Sequence, residues 1–231
     1  MVARLRPVLT IAFPAAAFGT NCYVLAAGEG QECLIVDPGI GVEDTVREVL
    51  ATHRLRPAAV LLTHGHLDHM WSVAPLAGAR DIPCYVHPAD RHLLTDPLAA
   101  LSPDLAGVFG TLRLQEPDEV RELADGEVIE LAGLSLVVDH TPGHTRGDVT
   151  FRTDGTLLAG DLVFAGSIGR VDLPGGSMEQ MLASLAGRFL TLPDETVVLP
   201  GHGPRTTVGR ERASNPFLVD LVAPGVGDGP R

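Results

Sequence analysis

Residues 64–69 read His-Gly-His-Leu-Asp-His and follow directly on the apolar run 58–62. Imidazoles grouped with a carboxylate make a donor set that suits zinc, iron or manganese. A core histidine that is merely satisfied usually stands alone, so the cluster reads as a set of metal ligands. That reading constrains the fold. Side chains at i and i+2 leaving a strand project to the same side, which serves His64 and His66, while a helix beginning near Leu67 presents Asp68 and His69 in its first turn. Such a strand end is where open α/β sheets place their ligands. The positive end of the helix dipole also favours the Asp68 carboxylate and resists an extra proton on His69.

Four side chains cannot close two coordination spheres, and the second half of the chain supplies further donors. His144 lies in Asp-His-Thr-Pro-Gly-His-Thr (139–145), Asp161 follows Leu-Leu-Ala-Gly, and His202 sits in Leu-Pro-Gly-His-Gly (199–203). Each follows a predicted strand. Each also has a glycine beside it, which lets the backbone approach an ion closely.

Hydrophobic patterning places strands over 8–13, 22–25, 33–36, 58–63, 83–87 and 196–199, and hairpins over 127–139 and 148–160. Helices are predicted over 42–52, 67–79 and 177–190. Both halves run strands first, then helix and strand, which suggests two similar αβ layers packed sheet to sheet. One domain is expected over 1–221, with a loose Gly- and Pro-rich tail over 222–231.

The formal charge of −12 leaves no basic surface for a phosphate backbone or an anionic membrane, so neither nucleic acid nor membrane is expected as a partner. Every basic residue is Arg, which excludes a Lys nucleophile. Cys22, Cys33 and Cys84 show no C-x-x-C spacing and read as buried free thiols. No apolar run reaches the ~20 residues of a membrane span, and residues 1–20 do not match a signal peptide. A cytoplasmic location is the expectation.

The strings 63–69, 140–145, 160–161, 166–175 and 200–203 together resemble the metallo-β-lactamase superfamily, over about residues 8–217. Gly-Ser-Ile-Gly-Arg (166–170) and Pro-Gly-His-Gly (200–203) are similar to its small glyoxalase II-like hydrolases. The resemblance implies an α/β fold of αββα type, a four-layer sandwich of two mixed sheets face to face with helices outside. It implies two divalent metal ions per chain, zinc first, with iron or manganese as alternatives. His64, His66 and His144 would hold one ion, Asp68, His69 and His202 the other, and Asp161 would bridge them. The implied reaction is hydrolysis of a small-molecule hydroxyacyl thioester by a metal-bridging hydroxide, with Asp68 as the catalytic residue that orients the nucleophile and takes its proton. Glutathione-using members carry a basic C-terminal helical region to which 209–217 is the only counterpart here; this counts against glutathione and leaves the thiol open.

Arg170 is the candidate for gripping a substrate carboxylate, with a structural ion pair as the alternative. His140 is a candidate for orienting a ligand from behind, and His87 for a strand-end residue near the site. The competing reading is a persulfide dioxygenase-like oxidoreductase, which would use His64, His144 and Asp161 for a single Fe(II). The full second ligand set speaks for the hydrolase.

Overall fold

The computed structural model describes residues 8–222; the segment 223–231, most of the expected tail, lies outside the described residues. The first sheet runs in space as β1 (Leu9–Pro14), β2 (Asn21–Ala26), β3 (Glu32–Val36), β4 (Arg56–Leu61), β5 (Cys84–Val86) and β6 (Val120–Glu122). Its first three strands are antiparallel and the rest parallel. The second sheet contains β7 (Val128–Leu131), β8 (Leu134–His140), β9 (Val149–Thr153), β10 (Thr156–Gly160), β13 (Val197–Pro200) and β14 (Thr206–Thr207), in that spatial order. A small hairpin, β11 (Val163–Phe164) and β12 (Ser167–Ile168), stands apart. The α-helices are α1 (Glu43–Thr52), α2 (Leu67–Met70), α3 (Val73–Gly78), α4 (Pro103–Phe109), α5 (Met178–Ser184), α6 (Val208–Ser214) and α7 (Val219–Val222).

The layer order follows from the alternation of apolar side chains along the central strands. Leu25, Leu34, Leu61, Leu136, Phe151 and Leu158 form one cluster between the sheets. Their neighbours Val24, Ile35 and Val60 face outward onto Val46 and Leu50 of α1 and Met70 and Leu76 of α2 and α3. Leu157 and Val198 of the second sheet pack instead on Met181 of α5 and on Leu185 and Phe189. Strands covered on both faces read as nearly continuous apolar runs. The result is the αββα sandwich with helices outside. No helix among the described residues is long and apolar enough to cross a membrane.

Phe151 is fully buried at the middle of the inter-sheet cluster. Phe151→Ala is expected to cost about 3–5 kcal/mol through lost transfer energy and the cavity left behind. Urea unfolding of the metal-free protein checks this, and a cost below 1 kcal/mol would contradict the central position given to the ring.

Two predicted helices differ from expectation for local reasons. The segment 67–79 is two short helices, not one. Ser72 donates its N–H to the Pro38 carbonyl at 3.0 Å and its hydroxyl to the Gly39 carbonyl at 2.6 Å, and these bonds break the ladder. Gly39 lies so close beneath that a Cβ there would overlap the Asp68 carbonyl oxygen. The segment 177–190 begins as α5, with Ser177 accepting from the Gln180 N–H at its N-terminus, and widens to a π-turn at Leu185–Phe189.

Candidate metal centre

All the predicted donors leave strand ends at one rim of the sandwich. His64 and His66 lie between β4 and α2, Asp68 and His69 occupy the first turn of α2, and His144 sits in the loop joining β8 to β9. Asp161 follows β10 and His202 follows β13. The structure brings all seven together in three overlapping groups, His64–His66–His144, His64–His69–Asp161 and Asp68–His69–His202, each with donor atoms within 4.8 Å of one another.

Asp161 is the shared element. Its Oδ1 lies 3.4 Å from His69 Nε2, while its Oδ2 lies 3.4 Å from His144 Nε2 and 3.6 Å from His202 Nε2. His202 Nε2 is also 3.2 Å from Asp68 Oδ2.

Hydrogen bonds on the outward side fix which ring nitrogen carries the proton. His144 Nδ1 faces the Arg170 carbonyl at 2.6 Å, and His69 Nδ1 faces Asp37 Oδ2 at 3.0 Å; since both oxygens only accept, both Nδ1 atoms donate. Thr63 gives its hydroxyl proton to Asp37 at 2.7 Å, so it receives the His64 Nδ1–H at 3.1 Å. Each of these imidazoles, when neutral, therefore turns an Nε2 lone pair inward. His64 Nε2 and Asp161 Oδ1 are buried with no hydrogen-bond partner among the described residues. Buried acceptors left without donors are costly unless a cation serves them. The donor set thus fits divalent ions.

The electrostatics agree. Burial, reinforced by the neighbouring His144, lowers the His66 pKa to about 3, and burial with His69 nearby lowers that of His64. Against the expectation that the helix end makes His69 resist a proton, its pKa is raised: burial alone would lower it, but the Asp161, Asp68 and Asp37 carboxylates outweigh burial. His202 is raised against burial by its hydrogen bond to Asp68 and by Asp161. Asp68 and Asp161 both stay below the usual carboxylate range despite burial, held there first by the charge of His69.

In the metal-free chain His69 and His202 are therefore the ligands that hold protons near neutrality, and a metal ion must displace them. Metal uptake is expected to release protons, and apparent affinity to rise with pH until both imidazoles are neutral. Calorimetric titrations in buffers of differing ionisation enthalpy measure this; an affinity independent of pH between 6 and 8 would contradict it.

Sequence reading missed the residues that hold the ligand loops. Asp37 accepts from the Thr63 N–H at 2.8 Å as well as from Thr63 Oγ1 and His69. Asp90, buried, accepts from Gly65 N–H (2.9 Å), Gly147 N–H (2.8 Å) and Thr145 Oγ1 (2.7 Å). It thereby ties the loop carrying His64 and His66 to the loop carrying His144. Thr20 donates to Asp68 Oδ2 at 2.6 Å. Asp90→Asn turns an acceptor into a donor that faces other donors. Metal affinity is expected to fall about 10- to 100-fold, as for other groups that orient ligands. Competition with a chelator checks it, and wild-type affinity would show that the loops hold their register without Asp90.

Two candidates behave differently from expectation. The Arg170 guanidinium is exposed and makes two 2.7 Å bonds to Asp172, so the ion-pair alternative describes its side chain, while its carbonyl orients His144. His140 contacts no ligand. It stacks on His87 at 4.1 Å with a 9° interplanar angle, and its Nε2 donates to the Arg146 carbonyl.

A family model described as the metallo-β-lactamase superfamily matches residues 15–202. An uncharacterized protein of Mycobacterium tuberculosis is 49% identical over 222 residues, covering 93% of this chain and 99% of its own. The hydroxyacylglutathione hydrolase GloC of Haemophilus influenzae is 33% identical over 209 residues, 89% of this chain and 95% of its own. The solved structure of the BLEG-1 B3 metallo-β-lactamase superposes with a TM-score of 0.82 at 36% identity, covering 91% of this chain and 99% of that one. TTHA1623 in a di-iron-bound form gives 0.76 at 40% identity, covering 90% and 100%.

Proposed function

The chain belongs to the metallo-β-lactamase superfamily, and on that premise we propose that it is a two-metal hydrolase acting on a small-molecule hydroxyacyl thioester. The observation that carries the reading is the second trio. Asp68, His69 and His202 converge beside the His64–His66–His144 group and share Asp161 with it, which a single-iron dioxygenase site would not need. The likeness to GloC supports the thioester as substrate.

His64, His66 and His144 would hold one ion and Asp68, His69 and His202 the other, with Asp161 common to both; zinc leads, and iron or manganese fit the same donors. Bound ions would supply Lewis acidity for the carbonyl and hydroxide at neutral pH. The chain's own part is to orient and to move a proton. Asp68 Oδ2 is held by Thr20 and His202 and stays ionised, so it can fix a nucleophilic water and accept its proton. Phe164 stands edge-on to His202 at 5.8 Å. The charge of −12 and the three unpaired, buried cysteines support a cytoplasmic enzyme that acts on neither nucleic acid nor membrane.

The test is a steady-state screen, on metal-quantified protein, of S-D-lactoyl thioesters of glutathione and of other low-molecular-weight thiols, with a persulfide and a β-lactam included. Thioester cleavage by protein holding two ions is expected. One iron per chain with oxygen uptake on the persulfide, or β-lactam opening alone, would overturn the proposal.

A further inference from the structure

A cavity of about 190 Å³ lies against Thr145, which follows His144 in the chain, and against Asp90, which ties the two histidine loops together. Its walls include Thr145 and Arg146 of the ligand loop, His92 and Ala100 from the turns after β5, and Pro174 and Gly175. Such a volume is below that of pockets enclosing a whole drug-sized ligand and suits one small end of a substrate.

Arg146 is the distinctive group in it. Its side chain has no hydrogen-bond or ion-pair partner among the described residues, a state it shares with Arg205 and Arg210, whereas Arg91, Arg113, Arg121, Arg152, Arg170, Arg188 and Arg212 are all engaged by carboxylates; of the three only Arg146 lines this cavity. Asp90, the acid on the same wall, already accepts from three donors. The backbone around Arg146 is pinned. Its carbonyl accepts from His140, the next N–H binds Asp90, and the preceding N–H binds Asp148 at 2.6 Å. The loop 169–176 closes on its stem, since a Cβ at Gly175 would stand 3.7 Å from Arg146 Cγ. The Arg146 side chain is exposed on a fixed backbone, and its unspent guanidinium fork has the shape and charge to pair with a planar anion.

We propose that Arg146, with His92 on the same cavity, is the subsite for a carboxylate on the thiol moiety of the substrate. The inference rests on the thioester reading, and it deepens it. A hydroxyacyl group bears no charge, so a remote anion must belong to the leaving thiol. A chain of net charge −12 repels anionic substrates at long range, so recognition of one needs a local cation beside the metals. Arg170 already has both arms of its fork on Asp172.

Two measurements on the metal-loaded protein test this. The first compares hydrolysis of S-D-lactoylglutathione, whose thiol carries carboxylates, with S-D-lactoyl-N-acetylcysteamine, which shares the acyl group and is neutral. Arg146→Ala is expected to raise KM about 10- to 100-fold for the first, by loss of a charge-assisted pair, with kcat and the neutral thioester unchanged and partial rescue by Arg146→Lys. Equal effects on both thioesters would overturn the assignment. The second is calorimetric binding of S-methylglutathione, which cannot be hydrolysed. Binding weakened in Arg146→Ala but not in Arg170→Ala is the expected result, and equal affinity of wild type and Arg146→Ala, or no binding to wild type, overturns the subsite. Arg146-dependent binding with no thioester cleaved would sink the hydrolase reading and leave the anion subsite standing.

Discussion

Asp161→Ala is expected to leave the sandwich folded and to remove both the second metal ion and the activity. Asp161 is the one carboxylate that reaches His69, His144 and His202, at 3.4, 3.4 and 3.6 Å. Without it the His64–His66–His144 group keeps three imidazoles and can still take an ion, whereas Asp68, His69 and His202 lose the oxygen that joins them to the first group. Metal content should fall from two ions to at most one, and kcat/KM by about 10³-fold or more, the equivalent of the several kcal/mol that a metal centre supplies. Stability of the metal-free protein should fall too. Despite burial, the charge of His69 holds the Asp161 carboxylate below its usual pKa, and a carboxylate depressed in this way stabilises the fold at neutral pH. The metal-free variant is expected to be less stable than wild type in urea at pH 7, the difference shrinking as pH falls through the carboxylate range. A variant with two bound ions and activity within tenfold of wild type would show that Asp161 is not shared.

That donor was legible in the sequence because it stands at a strand end beside a glycine, the context it shares with His144 and His202. The His64–His69 cluster was legible because its donors are contiguous. The strands were legible for a related reason: Leu34-Ile35-Val36 and Val60-Leu61-Leu62 are covered on both faces, and double coverage leaves an unbroken apolar run. What escaped has meaning only after the chain closes. Asp90 lies among short turns with no periodicity, and its three donors come from residues 65, 145 and 147. Asp37 reads as the start of a turn before Pro38, yet it sets the proton positions of His64 and His69. The break at Ser72 depends on carbonyls more than thirty positions away. That the Arg170 side chain has a carboxylate partner, and the Arg146 side chain none among the described residues, shows only in the folded chain.

A glycine gives the most demanding test of how tightly the centre is built. Gly201 precedes His202, and a Cβ on it would overlap Asp161 Oδ1 and stand 2.7 Å from His69 Cε1. The strand end cannot move aside, because the Gly201 N–H is bound to the Gly160 carbonyl and its own carbonyl to the Asn21 N–H, both at 2.7 Å. The collision must therefore be absorbed by the shared carboxylate and by His69. Gly201→Ala is expected to cost about 1–3 kcal/mol as overpacking. Its larger effect falls on the centre, where a displacement near 1 Å costs about 100-fold in catalysis, together with loss of the second ion. Gly203→Ala is the matched control two positions on. Gly203 has φ +75° and nothing within 4 Å of its would-be Cβ, so the variant bears only backbone strain, about 1–2 kcal/mol, and should keep both ions. Metal titration alongside urea unfolding separates the two substitutions: equal stability losses with metal binding impaired only in Gly201→Ala are predicted, and equal metal binding in both would mean that Asp161 and His69 have room the packing does not show.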